Sequence, residues 1–393
     1  MNTAKAIANL KKFTKRLVRD GVYNRNDWKA WKQKPKNVTF MSKCFGYNRI
    51  GDMPSIVNLL DPDFHATLPL ILLNYSDVAH NTLFKYEDLG WTETLRHCRG
   101  TVFDRTGKLV GLAFPKFFNR GEHPETKAFP DEPSETTVKH DGWLGIIFWY
   151  EGKLRITTRG RFEHRWTPIL TAMLEKYVEA NNWNESFPKD LTVLVEVIHP
   201  ETEVHLDYQG QEKFVLIGAF DIRSRKKYHD HTYAELCTLG EQLGIEVTEL
   251  WQCNSLDELV ALVEDLTNKG KEGFVTRFMV NNIRTKSKFM SYVQLMKADK
   301  LSYAWLMQRI IDGNIDTRIL DMPEEVIDQA RSMLADVLKV KEIDGVSDKE
   351  RAKKQREYLY RLYRKYPDLD PEQRKEETYK QCCGKLVRHL NTA

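Results

Sequence analysis

One stretch constrains the fold more than any other: TVKHDGWLGIIFWYEGKLRITTRGRF, residues 137–162. Val138 precedes Lys139, and Ile146, Phe148 and Tyr150 then alternate on one face before the chain returns through Arg155, Ile156 and Thr157. Period-two alternation on both sides of a short polar break places Lys139 at a strand-to-turn junction with a hairpin behind it. A lysine held in a cleft between strands, with other cations nearby, loses part of the stabilisation of its ammonium form. The neutral amine then becomes available to attack phosphorus. Asp141 is placed to hydrogen-bond a sugar hydroxyl or the local backbone, and Gly142 lets a bound nucleotide approach without a Cβ in the way.

The whole chain has 393 residues, enough for two or three domains with a substantial core. Its net charge is only +4, so a surface for a polyanion has to come from local clustering of cations and not from overall excess. Six cysteines show no CxxC pair and no zinc-like spacing with the histidines, which predicts free thiols and a reducing, cytosolic setting. His229–His231 reads as a solvated loop ahead of a metal site. The apolar run around residues 68–73 is far shorter than a membrane span, and the basic N-terminus lacks the apolar region of a signal peptide.

Six further blocks surround Lys139. CRGTVFD (98–104) and PKFFNRGE (115–122) precede it. LVEVIHPE (194–201), KFVLIGAFDI (213–222), KEGFVTRF (271–278) and IRTKSKFM (283–290) follow. In this order they resemble the motifs of the covalent nucleotidyltransferases, the superfamily of polynucleotide ligases and RNA capping enzymes. The RG ahead of a short hairpin and the KFFN upstream of the lysine narrow the resemblance to the RNA ligase 1 family of phage-type tRNA-repair ligases. It covers residues 80–297.

The resemblance implies an α+β fold: an adenylation domain of antiparallel sheets with flanking helices, followed by an all-helical C-terminal domain. It implies ATP and Mg2+ or Mn2+ as cofactors, and Lys139 as the nucleophile. Arg99 would organise the nucleotide site, with Lys116 and Phe118 near the triphosphate and base, one of Phe117 and Phe118 being core. Arg159 falls where the family carries a lysine facing the phosphates, and Trp143 falls where it prefers a small residue. That ring either narrows the pocket or stacks on substrate.

Glu196 interrupts the otherwise apolar LTVLVEV, where a carboxylate is costly unless paired or coordinated. The resemblance assigns it to the ribose or a metal; a salt-bridged structural role is the alternative. Phe220 is the candidate for the adenine face, with Phe214 competing. Glu272, followed by Gly273, would hold the metal at the α-phosphate, where a hard cation takes carboxylate and phosphate oxygens. Arg284, Lys286 and Lys288 share one face of a strand. The family motif aligns with Arg284 and Lys286 as α-phosphate ligands and leaves Lys288 outside.

Three domains are expected: a basic extension over residues 1–80, the nucleotidyltransferase domain over 81–297 and a helical, RNA-binding domain over 298–393. The extension mixes lysines and arginines with Tyr23, Trp28 and Trp31. It is either an RNA-binding arm, with cations on phosphates and rings on bases, or a helix laid over the catalytic domain. Residues 167–181 read as an amphipathic helix, and 231–269 as two helices flanking a strand. Helices are expected at 301–311, 323–338, 348–366 and 371–390, the tyrosines of 353–366 either gripping RNA or forming a bundle core.

The expected activity is ATP-dependent sealing of RNA 5′-phosphate and 3′-hydroxyl ends, tRNA among them, by a monomer with no membrane partner. A DNA ligase or capping guanylyltransferase uses the same adduct chemistry, and an inactive nucleic-acid-binding relative is the rival from another class. The absence of a barrel-like pattern after residue 297 argues against the first two.

Overall fold

In the computed structural model, residues 2–293 are described, apart from 203, 204, 224, 226, 253, 254 and 266–269. Contacts divide the chain into Met1–Phe289 and Met290–Ala393. The helices expected beyond residue 300 therefore lie outside the described residues.

Among the described residues the strands form three sheets. The first runs Asp63–Phe64, Leu70–Asn74, Arg99–Asp104 and Leu109–Gly111 in sequence order, all antiparallel. The second has the order Glu246–Val247, Lys213–Asp221, Leu191–Ile198, Trp143–Tyr150 and Lys153–Thr157. The third has the order Phe118–Asn119, Ile283–Lys288, Gly273–Phe278 and Ser134–Lys139. The fold is α+β and its sheets are antiparallel save at two edges. Glu246–Val247 and Phe118–Asn119 each join in parallel, because each arrives from a long connection and not from a hairpin.

The unbroken apolar run at Leu191–Ile198 follows from its place in the middle of the five-stranded sheet, covered on both faces. Val193, Val195 and Val197 pack with Leu170, Met173, Trp183 and Leu239 from the helices on one side. Leu194 joins the core on the other side, with Phe114, Phe148 and Phe220. Alternation therefore carries Glu196 to that second side, where the cavity described below opens. The helices at Thr167–Ala180 and Tyr233–Leu243 supply the first cover. Thr232 and Glu235 close a capping box on the latter, and Gly244 ends it in the left-handed conformation.

The N-terminal helices share the second core. Phe13 meets Trp28, Trp31 and Phe45 edge-on at 5.2–6.2 Å, and both tryptophans are only 3% exposed. Their rings are thus filled with protein contacts and unavailable to bases, which corrects the stacking reading for Trp28 and Trp31. Tyr23 stays open at 42%, with the Arg105 guanidinium 4.6 Å from its centroid. No helix among the described residues is long and apolar enough to cross a membrane.

His97, just ahead of the Arg99–Asp104 strand, is 1% exposed, and burial pushes its pKa down to about 4. Its Nδ1 meets the Glu93 carbonyl at 2.9 Å, while Nε2 has no partner. The unfolded chain takes up this proton near pH 6.5 and the folded one does not, so stability is full above pH 6.5 and is lost as pH falls toward 4. The loss attributable to His97 should reach about 3 kcal/mol, seen as a drop in unfolding free energy that a His97→Gln variant lacks.

Candidate active site

The third sheet assembles the reactive groups through its register. Gly273 pairs with Lys139 on one side and with Lys288 on the other, so the two lysines flank the strand that Glu272 leads into. Glu272 is 4% exposed and its carboxylate is straddled: Oε2 lies 2.5 Å from Lys139 Nζ and Oε1 2.8 Å from Lys288 Nζ. Gly273 is required here, since its φ is +153° and a Cβ would run into the Ser287 carbonyl of the next strand.

These groups open on a cavity of about 560 Å³. Its walls bring together Lys139, Arg99, Lys116, Gly142, Arg159, Glu196, Glu272, Arg284 and Lys286, drawn from all three sheets.

One end is strongly cationic. Lys286 is half-buried, and its pKa lies well below the ordinary lysine value, first through desolvation and then through Lys116, Lys139 and Arg99. Lys116, 5% exposed, is also depressed, with burial the leading cause. Neither amine has a carboxylate within ion-pair distance among the described residues. Lys286 lies 5.2 Å over the Phe117 ring and Lys116 5.0 Å over that of Phe118. Arg99 Nη1 has no acceptor. Partly desolvated cations without a paired carboxylate are costly, and a polyphosphate entering the cavity would supply the missing charge.

The opposite character meets at Glu196, where burial pushes the carboxyl up to about 7, Glu272 and Asp141 adding to the shift against Lys139 and Arg99. No described residue hydrogen-bonds its carboxylate. Glu196 and Glu272 together present hard oxygen donors that fit Mg2+ or Mn2+. No group of three or more His, Cys, Asp or Glu that could hold a metal is found among the described residues, so the other ligands would have to be phosphate oxygens and water.

Several expected residues stand elsewhere. Phe118 is 1% exposed and stacks on His123 at 4.1 Å, outside the cavity lining; strand alternation turns Phe117 toward the cavity in its place. Phe220 is 3% exposed and packs edge-on against Phe114 at 5.6 Å, so Phe114 and not Phe220 reaches the wall. Its competitor Phe214 stacks on Tyr177 across the sheet. Asp141 turns to backbone distant in sequence and not to the local backbone: its Oδ2 accepts from the N–H groups of His205 and Leu206 at 2.7 and 3.0 Å. Gly142 makes room for a strand, because a Cβ there would lie 2.6 Å from the Val197 carbonyl oxygen and 2.9 Å from Glu196 Cγ.

Arg284 lines the cavity but its guanidinium forks onto Asp230 at 2.6 and 2.9 Å, neutralised by a buried partner. On the same strand Lys286 lines the cavity, and Lys288, which the motif left outside, pairs with Glu272 at 2.8 Å.

Sequence reasoning missed Tyr75 and His80. Tyr75 accepts a hydrogen bond from Arg159 at 2.6 Å and stacks with His80 at 6.3 Å, both lining the cationic end. Burial alone would raise the Tyr75 pKa, but Arg99, Arg159 and Lys116 bring it below the ordinary phenol value. Nothing local marks these residues, since the strand Leu70–Asn74 that leads to them reads only as core.

A sequence profile of RNA ligases matches residues 97–301, just over half of the chain. The chain belongs to the RNA ligase family. The matched span runs from His97 through every block named above. A relative in Thermovibrio ammonificans, which carries an inferred RNA ligase name, is 28% identical over 197 residues, 47% of this chain and 48% of that one. The chain thus spans about half the length of this curated relative. Among solved structures, a variant of Naegleria gruberi RNA ligase with ATP and manganese aligns at 17% identity and a TM-score of 0.36, over 46% of this chain and 55% of that one. An Aquifex aeolicus protein with an inferred ATP-dependent DNA ligase name aligns at 15% identity and 0.39, over 70% and 68%.

Proposed function

We propose that this member of the family is an ATP-dependent RNA ligase that seals 5′-phosphate and 3′-hydroxyl RNA ends, with broken tRNA among its substrates. The observation that carries the reading is the cavity itself: the Lys139 amine paired with Glu272, in a wall that also holds Glu196 and cations, Lys116 and Lys286, that have no ion-paired carboxylate among the described residues.

Lys139 Nζ attacks the α-phosphorus of ATP, a P–N bond forms, the α–β phosphoanhydride breaks and pyrophosphate leaves. Lys286, Lys116, Arg99 and Arg159 hold the triphosphate and offset the charge that builds on the leaving group. A divalent ion bound by Glu272 and Glu196 would neutralise the α-phosphate. AMP then passes to the RNA 5′-phosphate, and the 3′-hydroxyl displaces it to make the phosphodiester. Each step is a phosphoryl transfer whose barrier depends on alignment and charge, which a preorganised cationic cavity supplies.

Residues 81–297 form the adenylating unit, to which the 1–80 segment lends Tyr75 and His80. The protein works as a monomer, and the free thiols of Cys44, Cys98 and Cys237 suit a reducing cytosol.

Protein incubated with magnesium and α-labelled ATP should retain label after denaturation. Label from GTP alone would indicate capping chemistry. No label from either nucleotide would leave a nucleic-acid-binding module.

A further inference from the structure

Two half-exposed rings stand at one part of the cavity wall, with a third, also half-exposed, packed against one of them. Trp143, immediately after Gly142, lines the cavity together with His164, their ring centroids 5.0 Å apart. Trp166 meets Trp143 edge-on at 6.4 Å, and the Arg165 guanidinium lies 4.6 Å over the Trp166 ring.

Among the described tryptophans, Trp28, Trp31, Trp91 and Trp183 are at most 3% exposed, while Trp143, Trp149, Trp166 and Trp251 stay half-exposed. Trp183 also gives its Nε1–H to the Leu243 carbonyl at 2.8 Å, and Trp31 gives its own to Asp20 at 2.9 Å. Trp166 differs, since its Nε1–H has no acceptor. That buried donor, unpaired among the described residues, is a standing cost of holding the Trp166 ring in this place.

The rings are held by backbone. The His164 N–H donates to Thr167 Oγ1 at 2.7 Å, Trp166 occupies the position before the Thr167–Ala180 helix, and Trp143 starts a strand registered on Val197. Burial, with Arg165 and Arg161 adding to it, lowers the His164 pKa, so its ring stays neutral at neutral pH. Flat faces on a fixed frame, with arginines beside them, have the composition of a base-stacking platform for single-stranded nucleic acid.

We propose that Trp143, with His164 and Trp166 behind it, stacks the terminal base of the RNA strand presented to Lys139. This rests on the ligase reading and adds the contact that holds the RNA end. The commitment is to a single-stranded RNA base and not to the adenine of ATP. The strand side chains Val138, Ile217 and Val275, with Phe114, supply a separate apolar wall in the same cavity that suits the adenine.

The test uses the full chain and a short, fluorescent, 5′-phosphorylated oligoribonucleotide, either intact or abasic at its terminal position. Binding is read by anisotropy, and adduct formation with labelled ATP is read in parallel. Trp143→Leu, which stays apolar but removes the ring face, should weaken binding of intact RNA by on the order of 10-fold. It should leave the abasic RNA bound as the unaltered protein binds it, and Trp143→Phe should retain most of the affinity.

Equal losses for intact and abasic RNA would overturn the proposal. So would a loss in adduct formation as large as the loss in RNA affinity, which would mark Trp143 as structural or as an adenine contact. If Trp143→Leu fails to fold, the unaltered protein decides: equal affinity for the two RNAs overturns the platform. Failure of ATP to label the protein sinks the ligase reading instead, and is seen separately from base-dependent RNA binding.

Discussion

Replacing Lys139 by alanine is expected to yield a folded protein that takes no label from ATP. The stability cost should be small, about 1 kcal/mol, because Glu272 keeps Lys288 at 2.8 Å and is not left as a lone buried charge. The chemical loss should be total, since no phosphoramidate forms without the amine. Mass analysis of the denatured protein makes the expectation strict. Lys116, Lys286 and Lys288 line the same cavity or lie beside it, so a misassigned nucleophile would show as AMP on one of them. Label that persists on Lys288 or Lys286 in the Lys139→Ala protein would remove residue 139 from its role, while an unlabelled, normally melting protein supports it.

The second large effect concerns stability. Asp230 accepts both arms of Arg284, and Arg277 Nη2 stands 3.5 Å from the same carboxylate; the side chains are 6%, 8% and 12% exposed. Arg277 also donates to the carbonyls of His231 and Asp230. Asp230→Ala would remove the paired carboxylate from two guanidinium groups, one of them 4.5 Å over the Phe114 ring. Breaking such a buried network by removing one partner costs about 3–5 kcal/mol. Urea denaturation should show an unfolding free energy lower by that amount, read as an earlier midpoint at unchanged slope. The double variant Asp230→Ala with Arg284→Met should recover much of the loss, because it removes the stranded charge as well. A single variant as stable as the parent would mean that the cluster is solvated and that Arg284 is free to bind substrate.

These two residues illustrate different degrees of legibility. Lys139 stood out locally: alternation before and after it located the strand end, and the later blocks supplied its carboxylate and cationic neighbours in order. Glu196 stood out as a charge in an apolar run, and alternation alone assigned it a face opposite Val195 and Val197. Arg284 was misplaced for the opposite reason. Its face on the strand was correct, but a cation on a strand says nothing of the carboxylate that meets it from 54 positions away. The same limit explains Phe117 against Phe118, two adjacent rings of equal hydrophobicity whose division between wall and core depends on His123 and Trp91 behind them.

The sequence by itself determined the α+β alternation of periods, the family, and which residue types could meet a nucleotide, because strand and helix spacing and ordered motifs are local properties. Only the tertiary structure decided which cations keep their charge for a ligand. It also brought Tyr75 and His80 to Arg159, and stood Trp143 half-open at the cavity wall with Trp166 against it. Those outcomes depend on what each group meets across strands far apart in the chain, and burial without a partner is a property of a place in space and not of a position in sequence.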